Sequence, residues 1–507
     1  MNKDMLFANY KIGIIGAGAM GRGIAQIAVL SGVKVLLFDT AEKAADDACF
    51  FITDMIGRLA DKKKISLEKA SAAIKQLGTV SDIKAMEQCD LVIEAIVEKL
   101  DIKQQLMISL EEIVPEKCIL ATNTSSLSVT SIASVCKNQE RIAGFHFFNP
   151  VPLMKVVEVV KGVNTSDDVC SHLAMLAEHM GHTPVRTKDT PGFIVNHAGR
   201  AYGTESTSIL EEGVADIYQI DSVLREGAGF RMGPFELYDL TALDVSHPAT
   251  EAIFEQFYNE PRYRPSYILR QRLSAKLLGK KTGGGFYSYS PDKIVPKEPV
   301  KKYEQPDMTV WISRENSDGF NKVLELLRKT KVNHDDRVRP SAESLCIVTP
   351  LGQDATTSAL KQDLDPKRTV AVDTSIGFDK IRTVMSTPAT HKRYKEAAMG
   401  LFSADGVQAE LINDSNGFIT QRVLAMIVNI GCFIAQNRIA EPDDIDTAVK
   451  LGLGYPYGPL KFGDVFGAER VLDILTAIYA NTGDPRYRPS VWLKRRVKLG
   501  LSLLHAE

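Results

Sequence analysis

Two titratable residues stand on neighbouring apolar runs, His146 and Glu158, in Gly144-Phe-His-Phe-Phe-Asn-Pro-Val-Pro-Leu-Met-Lys-Val-Val-Glu-Val-Val160. The stretch reads as two short β runs, 141–148 and 154–160, joined by a turn built on Asn149, Pro150 and Pro152. His146 and Glu158 each lie six residues from Pro152, so a hairpin centred there makes them direct cross-strand partners. Such partners have Cβ atoms about 4.5–5.5 Å apart. A carboxylate at that distance holds an imidazole in one tautomer and stabilises its charged form, which is what a general base needs. The alternative is a histidine and a glutamate on the wet face of an edge hairpin. This stretch alone leaves both readings open.

A base needs something to work beside, and the N-terminal segment supplies a candidate. Lys11-Ile-Gly-Ile-Ile15 is a short apolar strand followed at once by Gly16-Ala-Gly-Ala-Met-Gly21. Apolar residues then recur at helical spacing (Ile24, Ile27, Ala28, Leu30), and a second strand, Lys34-Val-Leu-Leu-Phe38, ends at Asp39. This strand–G-x-G-x-x-G–helix–strand–acid order is the fingerprint of a dinucleotide site. Gly16 allows the tight turn, Gly18 lets the backbone approach a pyrophosphate, and Gly21 lets the helix lie close to the strand. Ala19 and Met20 open the helix whose N-terminus faces the phosphates. Asp39 lies 21 residues after Gly18, where a carboxylate accepts both ribose hydroxyls and repels a 2′-phosphate, so NAD is expected over NADP.

The elements that must position these groups follow in order. Residues 44–64 and 66–76 read as two helices forming a hairpin that ends its first arm in Asp61-Lys-Lys-Lys64. Buried strands are expected at 91–96 and 117–121, with a helix at 99–113 between them. Ligands of doubly wound sheets sit beyond the carboxyl ends of the strands, which places Glu98, Lys103, Asn123 and Ser125 at the cofactor edge. A helix at 166–180 and a strand at 182–187 lead to Asp189-Thr-Pro-Gly-Phe-Ile-Val-Asn196, a hinge from which a helix departs near Phe193. Beyond it the pattern is helical: 193–211, 215–226, 234–240, 248–258 and 267–278.

The chain then echoes itself. Asn416-Gly-Phe-Ile419 repeats Pro191-Gly-Phe-Ile194, and Tyr457-Gly-Pro459 repeats Met232-Gly-Pro234, both at an offset of 225. Pro485-Arg-Tyr-Arg-Pro-Ser490 repeats Pro261-Arg-Tyr-Arg-Pro-Ser266 at 224. Constant spacing over three landmarks means a duplicated helical domain. Shifted by 225, His146 and Glu158 land on Ala371 and Thr383, so the second half reads as structural. The intervening part has strand-like runs at 344–349 and 368–372 and no glycine fingerprint.

Composition bounds the rest. The chain has 507 residues, 44% hydrophobic and 24% charged, with net charge −2, as expected of a globular, water-soluble protein. That balance argues against a nucleic-acid partner. Seven cysteines show no metal-ligand spacing, so no metal is expected and the thiols read as reduced. The polar start, 1–10, carries no signal peptide, and no apolar run approaches the ~18 residues that cross a bilayer, so no membrane role and a cytoplasmic location are expected.

At these residues the chain resembles the 3-hydroxyacyl-CoA dehydrogenases. The matching motifs include Gly16-Ala-Gly-Ala-Met-Gly21, Val92-Ile-Glu-Ala-Ile-Val-Glu98, Asn123-Thr-Ser-Ser-Leu127, His146-Phe-Phe-Asn-Pro150 and Met154-Lys-Val-Val-Glu158. Further on they are Thr190-Pro-Gly-Phe-Ile-Val-Asn196, Met232-Gly-Pro-Phe235 and Lys280-Lys-Thr-Gly-Gly-Gly-Phe286. The tandem helical domain is similar to the long bacterial type, which includes the 3-hydroxyadipyl-CoA and 3-hydroxybutyryl-CoA dehydrogenases. The resemblance implies NAD-dependent oxidation of an (S)-3-hydroxyacyl-CoA to the 3-ketoacyl-CoA, in fatty acid or phenylacetate-type degradation. It implies His146 as catalytic base, Glu158 as its partner, and Ser125 and Asn196 on the substrate oxygen. It further implies NAD contacts from Asp39, Glu98, Lys103, Asn123, Ser125, Asn149 and Lys281, and a coenzyme A contact from Lys62 on the helical hairpin.

The expected architecture is α/β: a Rossmann-type NAD-binding domain at 8–188 with its helical hairpin at 41–76, then an all-α domain at 189–290. A linker at 291–307, a small degenerate α/β segment at 308–411 and a second all-α copy at 412–507 follow. The assembly is either a homodimer or an intrachain pairing of the two helical copies. Two other readings are distinguishable by assay: a Rossmann dehydrogenase of a free hydroxy acid, needing no CoA, and a non-catalytic NAD-binding protein.

Overall fold

The structure is a computed structural model describing residues 6–289 and 303–507. Most of the linker expected at 291–307, and the first five residues of the polar start, lie outside the described residues. By packing, the chain divides into two compact units, one comprising residues up to 197 with 437–453, the other 198–436 with 454–505.

The first unit is built on an eight-stranded sheet of β1 (Lys11–Ile15), β2 (Lys34–Phe38), β3 (Leu77–Thr79), β4 (Leu91–Glu94), β5 (Ile119–Thr122), β6 (Ile142–Phe147), β7 (Val156–Lys161) and β8 (Thr183–Lys188). Its order is β3-β2-β1-β4-β5-β6-β7-β8. The first six strands run parallel in the doubly wound order; β7 reverses against β6, and β8 runs parallel to β7. The strands are apolar on both faces because helices cover both. Ile12, Ile14, Val35, Leu37 and Ile93 pack with the helices Ala19–Leu30 and Ala44–Asp61. Ile15, Leu36, Val92 and Leu120 pack with Met107 and Leu110 of Leu100–Ile113 on the other face. The hairpin arms are Ala44–Asp61 and Leu67–Lys75, the second capped by the Ser66 hydroxyl.

The Thr190–Asn196 hinge departs from the continuous helix expected from Phe193. Phe193 sits in the left-handed region at φ +48°, a helix begins only at Val195, and after Ala198 a second starts at Arg200. Likewise Pro248 does not start a helix but lies inside Leu243–Gln256. Packing also redraws the outline of the second helical copy. The helix Pro442–Leu453 lies with the first unit, where Asp444 accepts from the Arg186 N–H and Ile439 O accepts from the Lys188 N–H.

In the second unit, the segment expected to be a small degenerate piece is a six-stranded sheet. Its strands are β9 (Val310–Ile312), β10 (His334–Asp335), β11 (Leu345–Val348), β12 (Thr369–Val372), β13 (Ile381–Ser386) and β14 (Gln408–Ile412), in the order β10-β9-β11-β12-β13-β14. β12 and β13 are antiparallel and β13 and β14 parallel, the same end as β6-β7-β8. Asp189 caps Val129–Ala133 by accepting from Ser128 Oγ and the Val129 and Thr130 N–H groups. Asp414, 225 residues on, caps Ala355–Lys361 through the Ala355 and Thr356 N–H groups. The register corrects the shift by 225: Ala371 faces Met385, and the residue beside Thr383 is Asp373, whose N–H donates to Thr383 O. Asp373 is buried and accepts from the Thr420 and Ser375 hydroxyls and the Gln421 amide.

The helix Ile419–Gln436 has 18 residues and a mean hydropathy of 1.4, enough by length and composition to cross a membrane, contrary to the expectation that no such run exists. Here 89% of it is buried inside the protein. It packs along Arg200–Glu211 of the first helical copy. Arg422 donates to Glu205 and Glu212 there, and to the Tyr487 hydroxyl of its own copy, which places two copies of the repeat against each other within one chain.

Candidate active site

The hairpin register makes His146 and Glu158 direct partners. Alternation decides their direction: Phe145 and Phe147 enter one core, so His146 points to the opposite face. His146 Nδ1 lies 2.6 Å from Glu158 Oε2. Glu158 Oε1 accepts from the Ile194 and Val195 N–H groups, each at 2.9 Å, where the hinge meets the sheet. The wet edge-hairpin reading fails, because β7 is flanked on both sides and His146 and Glu158 are 4% and 0% exposed. A carboxylate committed at Nδ1 keeps that nitrogen protonated and leaves Nε2 with the lone pair. Phe148 and Phe193 close on the imidazole, with ring centroids 4.4 and 5.7 Å away. Phe193 thus spends an uncommon backbone conformation beside the site, as strained residues often do.

His146 lines a pocket of about 320 Å³ together with Met20, Glu98, Lys103, Asn123, Ser125, Asn149 and Asn196. Each of these is a site residue expected from the sequence, and the fold brings them to one place beyond the strand ends. Asn123 Oδ1 accepts from the Phe147 N–H at 2.9 Å, tying the loop after β5 to the strand bearing His146. Ser125 is exposed to the pocket, and Asn149 precedes Pro150 across a cis bond. Glu98 Oε1 accepts from Thr124 Oγ1 and from the Ser125 and Ser126 N–H groups at 2.7–3.0 Å. Burial pushes its carboxyl up, but Lys103 and those donors outweigh it and hold it at about 2. Lys103 is itself buried, its ammonium 2.7 Å from Glu94 and 3.2 Å from Glu98.

The glycine loop follows the end of β1, and its Met20 reaches this pocket. Gly16 takes φ +102°, and a Cβ on Gly21 would stand 1.8 Å from Gly16 O. A Cβ on Gly18 would meet nothing within 4 Å, so open space lies over the start of Ala19–Leu30, where a pyrophosphate is bound in such loops. Asp39 Oδ2 accepts from the Ala17 N–H and Oδ1 from the Ala41 N–H. Each oxygen retains acceptor capacity for a ribose hydroxyl. These residues fit a dinucleotide. Lys62 is exposed at the end of Ala44–Asp61, and Lys281 belongs to the second unit, where it meets Asp244 at 2.5 Å.

Glu94 was missed. It ends the apolar run of β4 and reads as a strand terminus. The signal was available in the pairing of a buried acid with a cation nine residues on.

Comparisons with known proteins agree with this geometry. The family described as 3-hydroxyacyl-CoA dehydrogenase, NAD binding domain, matches residues 11–190. The family's C-terminal domain matches twice, at 192–289 and 417–503. The 3-hydroxyadipyl-CoA dehydrogenase of Escherichia coli (strain K12) is 36% identical over 96% of this chain and 97% of its own length. Human mitochondrial hydroxyacyl-coenzyme A dehydrogenase is 40% identical over 54% of this chain and 90% of its own. A crystal structure of 3-hydroxybutyryl-CoA dehydrogenase from E. coli K12 superposes with a TM-score of 0.84 at 34% identity, over 97% of this chain and 98% of that one. With a dinucleotide loop and a buried histidine–glutamate pair opening on one pocket, the chain belongs to the 3-hydroxyacyl-CoA dehydrogenase family, whose members use NAD to interconvert 3-hydroxyacyl-CoA and 3-ketoacyl-CoA.

Proposed function

We propose that His146 is the general base of this oxidation and that Glu158, Ser125 and Asn196 set its geometry. The observation that carries the reading is the 2.6 Å contact between His146 Nδ1 and a Glu158 carboxylate buried away from water. An alcohol gives up hydride readily only as its proton leaves, so a base must reach the hydroxyl. His146 takes that proton at Nε2, and Glu158 stabilises the imidazolium through Nδ1–H. Two backbone N–H groups, of Ile194 and Val195, hold the other oxygen of Glu158 in place. Ser125 and Asn196 hold the substrate oxygen, aligning its C–H bond and stabilising developing charge. NAD supplies the hydride acceptor when bound. The contacts assigned to it are the Gly16–Gly21 loop, Asp39, Glu98, Lys103, Asn123, Ser125, Asn149 and Lys281, with Lys62 on coenzyme A.

Similarity to the E. coli 3-hydroxyadipyl-CoA dehydrogenase supports a 3-hydroxyacyl-CoA substrate, in fatty acid or phenylacetate-type aromatic acid degradation in the cytoplasm. The intrachain pairing of the helical copies supports a monomer over a homodimer. His146→Gln tests the central assignment: kcat falls about 10²–10⁴-fold while NADH binding, read by fluorescence titration, is kept. An unchanged kcat rules out His146 as the base.

A further inference from the structure

Beneath the loop that carries Ser125 runs a chain of charges, buried at Glu94 and Lys103 and open at Glu98, whose first member no catalytic role accounts for. Glu94 is 0% exposed and Lys103 1% exposed. The Lys103 ammonium donates to Glu94 Oε1 at 2.7 Å and Oε2 at 2.9 Å, and reaches Glu98 Oε2 at 3.2 Å. Glu98 Oε1 collects the Thr124 hydroxyl, the Ser125 and Ser126 N–H groups and the Ser126 hydroxyl. Glu94 also holds the loop at its root: Thr122 Oγ1 donates to Glu94 Oε1, and the Asn123 N–H donates to Glu94 O. Thr122 Oγ1 in turn accepts from the Thr124 N–H at 3.2 Å. Residues 122–126 are therefore gripped at both ends by one network, and Glu94 is where the two grips meet.

A buried ion pair is a weak way to gain stability, since well-packed apolar residues of similar volume often do as well or better. What it does supply is direction. An ammonium in a fixed position aims the Glu98 carboxylate, and a carboxylate aimed at three successive residues sets the course of their backbone. Ser125 sits in the middle of that course, and Asn123 ties the same loop to the Phe147 N–H, next to His146.

We infer that Glu94 is a positioning residue for the reaction, acting through Lys103 and Glu98 to hold Ser125 at its distance from His146. The inference rests on the reading of His146 and Ser125 given above. Small displacements of a positioned group are costly in rate, about 10²-fold for 1 Å.

The test is a double-mutant cycle on the full chain with acetoacetyl-CoA and NADH, using Glu94→Gln, Ser125→Ala and both together. If Glu94 works through Ser125, Glu94→Gln lowers kcat by about 10- to 10²-fold with little change in the KM for NADH. The double variant is then no slower than Ser125→Ala alone. Losses that multiply, or a wild-type kcat in Glu94→Gln, overturn the role. Should Glu94→Gln not fold, Glu94→Met with Lys103→Met removes both charges together. It is expected to keep the melting temperature and lose kcat, and full activity in it counts against the inference. Multiplying losses alongside an inactive His146→Gln defeat the positioning role alone, whereas an active His146→Gln defeats the reading beneath it.

Discussion

The histidine–glutamate pair was legible from the sequence because a strand has a period of two and a hairpin has a centre. Two prolines and an asparagine marked the turn, and the rest was counting. The burial of the pair was not legible, because it depends on β8 arriving from 27 residues later to cover β7. Glu94 was hidden for the opposite reason, since an acid closing an apolar run resembles an ordinary strand end. At this scale acid stability is informative. The Glu98 carboxyl is held at about 2, below its ordinary 4.5, because Lys103 and the loop donors outweigh the burial that pushes it up. A carboxyl lowered on folding contributes stability above its unfolded value and loses it as pH falls through the folded one. The stability advantage of the wild type over Glu98→Gln in urea should therefore be full near neutral pH and shrink as pH falls from 4.5 towards about 2. An advantage constant across that window would contradict the assignment of charge.

Among elements, the strand–loop–helix unit at the N-terminus was the most readable, since each glycine answers to a separate steric demand. The structure separates those demands. A Cβ on Gly21 collides with Gly16 O, whereas a Cβ on Gly18 enters open space, and Gly18 has φ −67°, which any residue adopts. Gly21→Ala is therefore expected to destabilise the protein by about 1–3 kcal/mol, the usual range for overpacking. Gly18→Ala should leave the melting temperature unchanged and raise the KM for NADH, because its methyl takes the place of a phosphate. Equal effects on stability from the two would argue against a dinucleotide over Gly18. The hinge was read less well. Proline and glycine announced it, but the left-handed turn at Phe193, whose ring lies 5.7 Å from that of His146, has no local cue.

For the whole molecule, the internal repeat was readable in three short motifs, yet of the six-stranded sheet only β11 and β12 were. Two of its strands, Val310–Ile312 and His334–Asp335, are too short to show a period. The paired helical copies depend on Arg422, 2% exposed at its side chain, whose guanidinium answers the fully buried Glu205 and the partly exposed Glu212. Removing one partner of a buried pair leaves the other charge uncompensated, so Arg422→Met should cost about 3–5 kcal/mol in urea unfolding. A cost near zero would mean that the copies hold together by apolar packing alone.

The account stands most directly on the thioester. The purified protein, given NADH at neutral pH, should oxidise it rapidly with acetoacetyl-CoA and far more slowly with free acetoacetate. Equal rates on the two would mean that coenzyme A is not part of what this site recognises, and would contradict the account.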